Sequence, residues 1–217
     1  MKIFVPIKEN SQRVPRKNFR LLEGIPLYQR LFDKLRNFEV FVDTDSLEIL
    51  KFLNSNYENV IAYKREESLI GDEVSVCDLI RNFLICNNVK NEWICQVHVT
   101  SPFLKSETLE KIKSLTQKKY DAIVSCNVHQ SRFWRKEDYG YCPSNHNPLV
   151  LQQTQDLPEL YEENSLFYAF KSDNFMKTNM RVGSYPYFYK TDFIESMDID
   201  TEEDWSLVKK IAESNQT

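Results

Sequence analysis

Five cations fall within thirteen residues near the start of the chain, in Lys8-Glu9-Asn10-Ser11-Gln12-Arg13-Val14-Pro15-Arg16-Lys17-Asn18-Phe19-Arg20. Cations and loop amides gathered in one turn neutralise a polyphosphate, and Asn10, Ser11 and Asn18 add uncharged hydrogen-bonding groups. The competing reading is a solvated loop whose charges only keep the surface soluble. The segment holds no glycine. It is therefore neither a Walker A loop nor a dinucleotide-binding fingerprint.

The second constellation is acidic and lies at the far end of the chain, Ser196-Met197-Asp198-Ile199-Asp200-Thr201-Glu202-Glu203-Asp204. Residues two apart on an extended segment face the same side. Asp198 and Asp200 in that geometry offer carboxylate oxygens to one hard cation. The same stretch also reads as a helix start, with Asp200 or Thr201 as cap and Glu203 or Asp204 answering three residues on. The two roles are compatible.

Two further groups compete for attention. Asp43-Thr44-Asp45 repeats the aspartate spacing and reads either as a metal-binding pair of the glycosyltransferase type or, preferably, as turn and helix-cap residues. Cys126 with His129, and Cys142 with His146, have the spacing of a small zinc site, but Cys126 falls inside an apolar run that reads as a strand.

These residues need a scaffold, and the hydrophobic pattern supplies one. Strand-length apolar runs at 2–7, 39–42, 59–63, 93–99 and 121–128 alternate with helical patterns at 25–36, 46–54, 76–86 and 106–118. Such alternation predicts an α/β fold with a three-layer, mostly parallel sheet. Ligands of open α/β sheets sit beyond the carboxyl ends of the strands, so the loops after Ile7, Asp43, Val99 and Val128 are the places to search. Residues 135–165 are polar, carry Pro143, Pro148 and Pro158, and read as an insertion or long loop. Regular structure resumes at 165–170 and 185–189, and a final helix covers 203–212.

A length of 217 residues fits one domain spanning 1–217. The net charge of −4 gives no general pull towards nucleic acid or an anionic membrane, so any bound anion must be held by a local cluster of cations. No apolar run approaches the length of a membrane span. The first residues carry a charge after too short an apolar run for a secretory signal. Five cysteines, an odd number, fit a reducing compartment, and the cytoplasm is expected.

Taken in order, four segments resemble the acylneuraminate cytidylyltransferase family. They are Asn10–Asn18 with Gly24 and Pro26-Leu27; Arg65-Glu66-Glu67-Ser68-Leu69-Ile70-Gly71-Asp72; Thr100-Ser101-Pro102; and Gln155-Asp156-Leu157-Pro158 with Tyr161, Asn164 and Asp198–Thr201. The resemblance implies a nucleotide-diphospho-sugar transferase fold and a homodimer formed partly through 135–165. It implies CTP held by Lys8, Asn10, Ser11, Arg13, Lys17, Asn18, Arg65, Ser75 and His98. On the acceptor side it implies Thr100, Ser101, Gln155 and Asn164, and it implies Mg²⁺ on Asp198 and Asp200. The reaction implied is attack of a sugar-acid hydroxyl on the α-phosphorus with release of pyrophosphate, served by Arg13, Lys17, Asp198 and Asp200. The chain departs from the family's pattern in several places. Lys8 stands for arginine, Gln12 for lysine, His98 for glutamine, Val99 for proline, and Ser165-Leu166 for Gly-Ala. Thr154 replaces the arginine that helps receive the sugar's carboxylate, and Arg132 or Arg135 is the expected substitute.

Overall fold

The computed structural model describes residues 1–71 and 73–214. Asp72, part of the second family-like segment, lies outside the described residues. Among the described residues eleven strands occur, at Lys2–Ile7 (β1), Leu21–Leu22 (β2), Ile25–Pro26 (β3), Val40–Thr44 (β4), Val60–Lys64 (β5), Trp93–Val97 (β6), Ala122–His129 (β7), Trp134–Glu137 (β8), Gly140–Pro143 (β9), Leu160–Lys171 (β10) and Pro186–Lys190 (β11). The helices are Leu27–Lys34 (α1), Leu47–Asn56 (α2), Val76–Cys86 (α3), Ser106–Leu115 (α4), Ser172–Thr178 (α5) and Glu202–Ser214 (α6).

Seven strands make one sheet in the order β11-β7-β10-β6-β1-β4-β5. All neighbours are parallel except β10, which runs antiparallel to β6 and β7. The alternation of side chains along β1 divides the core in two. Ile3, Val5 and Ile7 pack under α1, α2, α4 and α6, whereas Phe4 faces α3 and α5. Phe4 stacks on Phe83 of α3 with ring centroids 4.7 Å apart. The expected three-layer, mostly parallel α/β fold is what the chain forms.

The helix at 76–86 has the bounds its pattern predicts, because Ser75 and Asp78 form a reciprocal capping box at its start. The predicted 25–36 helix is shorter, since 21–26 forms the β2–β3 hairpin first. The polar stretch 135–165 is not uniformly a loop. It begins with the β8–β9 hairpin and ends inside β10, whose first residues pair with β7 from Leu160 onward. Ser165 adopts a positive φ of 60°, and the β10–β7 register shifts between Glu163 and Tyr168, so the long strand bends there. Among the described residues no helix is long and apolar enough to cross a membrane, and all five cysteines are free thiols.

Candidate active site

The cavity lies beyond the carboxyl ends of β1 and β6 and against the start of α3, with a volume of about 390 Å³. Lys8, Asn10, Ser11, Gln12, Arg13, Lys17 and Asn18 line it from the loop after β1. His98, Val99 and Thr100 line it from the end of β6, and Val74, Val76 and Leu79 give it an apolar wall. A polar, cationic side opposite an apolar one suits a ligand with a phosphate chain and a flat ring.

The five cations of the loop divide by task. Arg16, at a positive φ of 50°, turns outward to Glu48 at 3.3 Å and stacks on Phe19. Arg20 makes a two-pronged pair with Glu202 at 2.6 and 2.6 Å, which ties the loop to α6. Arg13 and Lys17 both reach Asp200, at 3.0 and 3.3 Å, while lining the cavity. Lys8 lines it too and donates to the Gly71 carbonyl at 3.3 Å. Asn18 is buried, and its amide donates to the Lys8 carbonyl at 2.7 Å, so it braces the loop.

The acidic segment is anchored opposite. Ile199 is fully buried, its N–H donates to the Thr100 carbonyl at 3.0 Å, and its own carbonyl accepts from the Lys17 ammonium. Asp198 and Asp200 flank this plug. Asp198 accepts from the Ser101 hydroxyl at 3.5 Å, and Asp200 takes the two loop cations. The capping reading also holds. Thr201 and Asp204 cap α6 reciprocally, with Asp204 accepting from the N–H groups of Asp200 and Thr201 at 3.0 and 2.8 Å. Glu203 takes no part in that cap. Segments some 180 residues apart therefore meet at one cavity mouth.

Under the loop lies a buried ion pair. The Arg65 guanidinium donates to the Asp43 carboxylate and to the carbonyls of Ile7 and Asp43, at 3.2 Å each. Burial pushes the Asp43 carboxyl upward, and the neighbouring Arg65 opposes that rise. The pair ties β1, β4 and β5 together directly beneath the cavity. This corrects the reading of Asp43 and Asp45 as helix caps or a metal pair, while the turn reading holds for Thr44. Asp43 is the partner of Arg65, Thr44 accepts from the Ser46 N–H, Asp45 accepts from the Glu9 N–H, and Ser46 caps α2. Arg65 does line the cavity as expected, but its charge is engaged from below.

Five of the expected residues do not line the cavity. Ser75 spends its hydroxyl on the α3 cap. The Arg132 guanidinium donates to the Gln152 carbonyl, and Arg135 pairs with Glu137 in its own hairpin. Gln155 donates to Gln153 on an exposed stretch, and Asn164 donates to Asn127 and Thr191 at 3.0 and 2.7 Å. For Arg132, Arg135 and Gln155 this follows from local geometry, because 130–157 is a surface excursion that leaves the sheet after β7, whereas Asn164 lies within β10 and Ser75 caps α3. No group of three or more His, Cys, Asp or Glu side chains among the described residues is placed to hold a metal. Cys126 is buried in β7, and His129 is bonded to Glu162 at 2.8 Å. Sequence reasoning missed Gln96 and Arg181, which stand behind His98; a buried glutamine inside an apolar strand was the available signal.

A family model described as cytidylyltransferase matches residues 3–217. The chain belongs to the cytidylyltransferase family. It is 29% identical over 209 residues to N-acylneuraminate cytidylyltransferase A of Danio rerio, a match covering 92% of this chain and 48% of the relative. It is 27% identical over 230 residues to CMP-N,N'-diacetyllegionaminic acid synthase of Legionella pneumophila, covering 98% and 96%. It is 26% identical over 214 residues to an N-acylneuraminate cytidylyltransferase of Streptococcus agalactiae, covering 93% and 50%. The chain thus spans about half the length of two of these three relatives. Among solved structures it resembles a CMP:2-keto-3-deoxy-manno-octonic acid synthetase complexed with CTP, with a TM-score of 0.67, 13% identity and coverage of 99% and 98%. It also resembles a 4-diphosphocytidyl-2C-methyl-D-erythritol synthase of Anaerococcus prevotii, with a TM-score of 0.65, 13% identity and coverage of 98% and 96%. These likenesses support the fold, and the relatives agree with the resemblance read from the four segments.

Proposed function

We propose that this chain transfers CMP from CTP to a hydroxyl of a 2-keto sugar acid of the N-acylneuraminate type, giving a CMP-sugar and pyrophosphate. The observation that carries the reading is the meeting of Arg13 and Lys17 with the Asp198–Asp200 segment at the mouth of a cation-lined cavity, in a chain of the cytidylyltransferase family. Nucleotidyl transfer asks for positioning and charge neutralisation more than for covalent help from the protein. Lys8, Arg13 and Lys17 hold the phosphates, and Arg13 and Lys17 stabilise charge that builds on the departing pyrophosphate. The acceptor oxygen forms its bond to the α-phosphorus as the bond to pyrophosphate breaks. Val74, Val76 and Leu79 pack against the base.

Two aspartates at a phosphate site suit Mg²⁺, which takes one or two carboxylates and completes its shell with water and substrate phosphates. In this reading Asp198 and Asp200 would hold the ion, which when bound would supply positive charge to screen the triphosphate and acidify the acceptor hydroxyl. The reading extends to a homodimer. Tyr139, Leu149 and Leu151 are 102%, 92% and 91% exposed on the 130–157 excursion, an apolar surface of the kind that a second copy covers. Free thiols throughout accord with a cytoplasmic setting.

A second reading keeps CTP and changes the acceptor to another carboxylated or phosphorylated small molecule. It is favoured by Thr154 and by the engagement of Arg132 and Arg135 away from the cavity. Pyrophosphate release from CTP, assayed with a panel of acceptors, separates the two. Turnover confined to nine-carbon sugar acids supports the first. Turnover confined to other acceptors supports the second, and none on any acceptor refutes both.

A further inference from the structure

Behind the cavity a line of polar side chains runs along one face of the sheet: Arg181, Gln96 and His98. Gln96 is fully buried on β6, two residues before His98 and therefore on the same face. The Arg181 guanidinium donates to the Gln96 side-chain oxygen at 2.7 Å, and the Gln96 amide nitrogen lies 2.6 Å from His98 Nε2. Guanidinium has donors only, so the amide must turn its oxygen to Arg181 and its NH₂ to the ring. An NH₂ group is itself only a donor. The ring nitrogen that receives it must carry a lone pair.

Arg181 is built to stay where it is. Its guanidinium carbon lies 3.8 Å from the centroid of the Tyr168 ring, and the Tyr168 hydroxyl donates to Glu163 at 2.8 Å. The loop that follows is pinned by Asp121, which accepts from the N–H groups of Ser184 and Tyr185, each at 2.8 Å. Gly183 has a positive φ of 72°, and a Cβ there would stand 2.5 Å from the Asp121 carboxylate, so this turn is closed to other residues. The cation is thereby fixed, and through Gln96 it dictates the state of the imidazole. Burial, with Arg181 and Lys17 nearby, also pushes His98 below its ordinary range, although Asp198 and Asp200 oppose this.

We propose that Arg181 and Gln96 are positioning residues that lock His98 as a neutral imidazole with its proton on Nδ1, making position 98 a fixed hydrogen-bond donor to an oxygen of the ligand in the cavity. The ring lines that cavity, and Nδ1 has no hydrogen-bond partner among the described residues. A neutral donor here recognises a carbonyl, phosphate or carboxylate oxygen, and with Nε2 occupied by Gln96 the ring is not a general base. The ligand's identity rests on the cytidylyltransfer reading; the tautomer does not.

The test is ¹⁵N-detected histidine NMR on the full chain, with His98 assigned among three histidines by loss of its signals in His98→Gln. The expected spectrum has an unprotonated Nε2 and a protonated Nδ1. A proton on Nε2, or a charged ring at neutral pH, overturns the proposal. Arg181→Gln, whose amide no longer dictates which end of Gln96 faces it, is expected to give a mixture of tautomers. A single unchanged tautomer in that variant refutes the relay. Gln96→Glu reverses the polarity at constant shape, and a folded variant by circular dichroism is expected to show Nε2 protonated. If it does not fold, the wild-type and Arg181→Gln spectra decide. Recognition is read separately in Arg181→Gln and, if folded, Gln96→Glu, as the Kd for CTP by calorimetry and the KM for the sugar acid. A rise of roughly tenfold in either, with kcat little changed, identifies which ligand supplies the oxygen. No change in either removes the recognition role. A protein that turns over no sugar acid would undo the functional reading and leave the tautomer result standing.

Discussion

Replacing Asp43 by alanine isolates what holds the floor of the site. The Asp43 and Arg65 side chains are 0% and 1% exposed, so neither charge has water to fall back on. Removing the carboxylate leaves a buried guanidinium whose remaining hydrogen-bond partners among the described residues are the Ile7 and Asp43 carbonyls. Breaking a buried pair from one side costs about 3–5 kcal/mol, because an uncompensated charge remains. At roughly 2–4 °C per kcal/mol for a chain of this size, the melting temperature is expected to fall by about 6–20 °C. Urea denaturation of the wild type and Asp43→Ala gives the free energy directly, with Glu48→Ala as the contrast. That residue pairs with Arg16 where both side chains are 60% exposed, and its loss is expected to cost under about 1 kcal/mol. The Asp43→Leu/Arg65→Met double variant is expected to recover most of the lost stability, since a packed apolar pair needs no compensation. One oxygen of Asp43 is buried without a partner, which is a further reason to expect that recovery. A cost below about 1 kcal/mol for Asp43→Ala would refute the view that this pair braces the sheet beneath the cavity.

The loop cations make a second, sharper contrast. Lys17→Met is expected to lower kcat/KM for CTP by about 10²–10³, the scale of a lost transition-state charge contact, while Arg16→Ala changes it less than about threefold. Lys34 gives a pH dependence. Burial and nearby Arg30 lower its ammonium to about 8, although Glu195 opposes this, and it donates to the Pro102 carbonyl at 2.5 Å. Between that value and the unfolded one near 10.4, the unfolded chain holds a proton that the folded chain has lost. Lys34 therefore makes stability rise with pH across that window and has no such effect below it; Lys34→Met, followed by denaturation from pH 7 to 10, is expected to remove the rise. If the proposed homodimer forms through this surface, light scattering is expected to give a dimeric mass for the wild type and a monomeric one for the Tyr139→Ser/Leu149→Ser/Leu151→Ser variant; a dimeric mass in the variant would clear that surface of the role.

Much of the scaffold was legible because its signals are local. The apolar runs of β1 and β6 and the apolar helical pattern of α3 declare themselves within a few residues. The β8–β9 hairpin did not, because both its faces are largely exposed and its alternation carries no apolar signal. At the site, the loop and the acidic segment were readable as charge clusters, and the family-like order of segments put them together. The division of labour within the loop was not readable. Whether a cation serves the cavity or a neighbouring carboxylate depends on partners such as Glu48 and Glu202, which arrive from other elements. The same holds for Asp43, whose partner lies 22 residues on, and for Arg132, whose hydrogen bond to Gln152 exists only once the excursion has folded.

The central claim is that two distant segments act on one triphosphate, and calorimetry of CTP binding with and without Mg²⁺ tests it most directly. Mg²⁺ is expected to tighten CTP binding at least tenfold in the wild type and to have no such effect in Asp198→Ala/Asp200→Ala, whereas Lys17→Met weakens binding in either condition. An undiminished Mg²⁺ effect in the double aspartate variant, or CTP affinity indifferent to Lys17, would contradict the account.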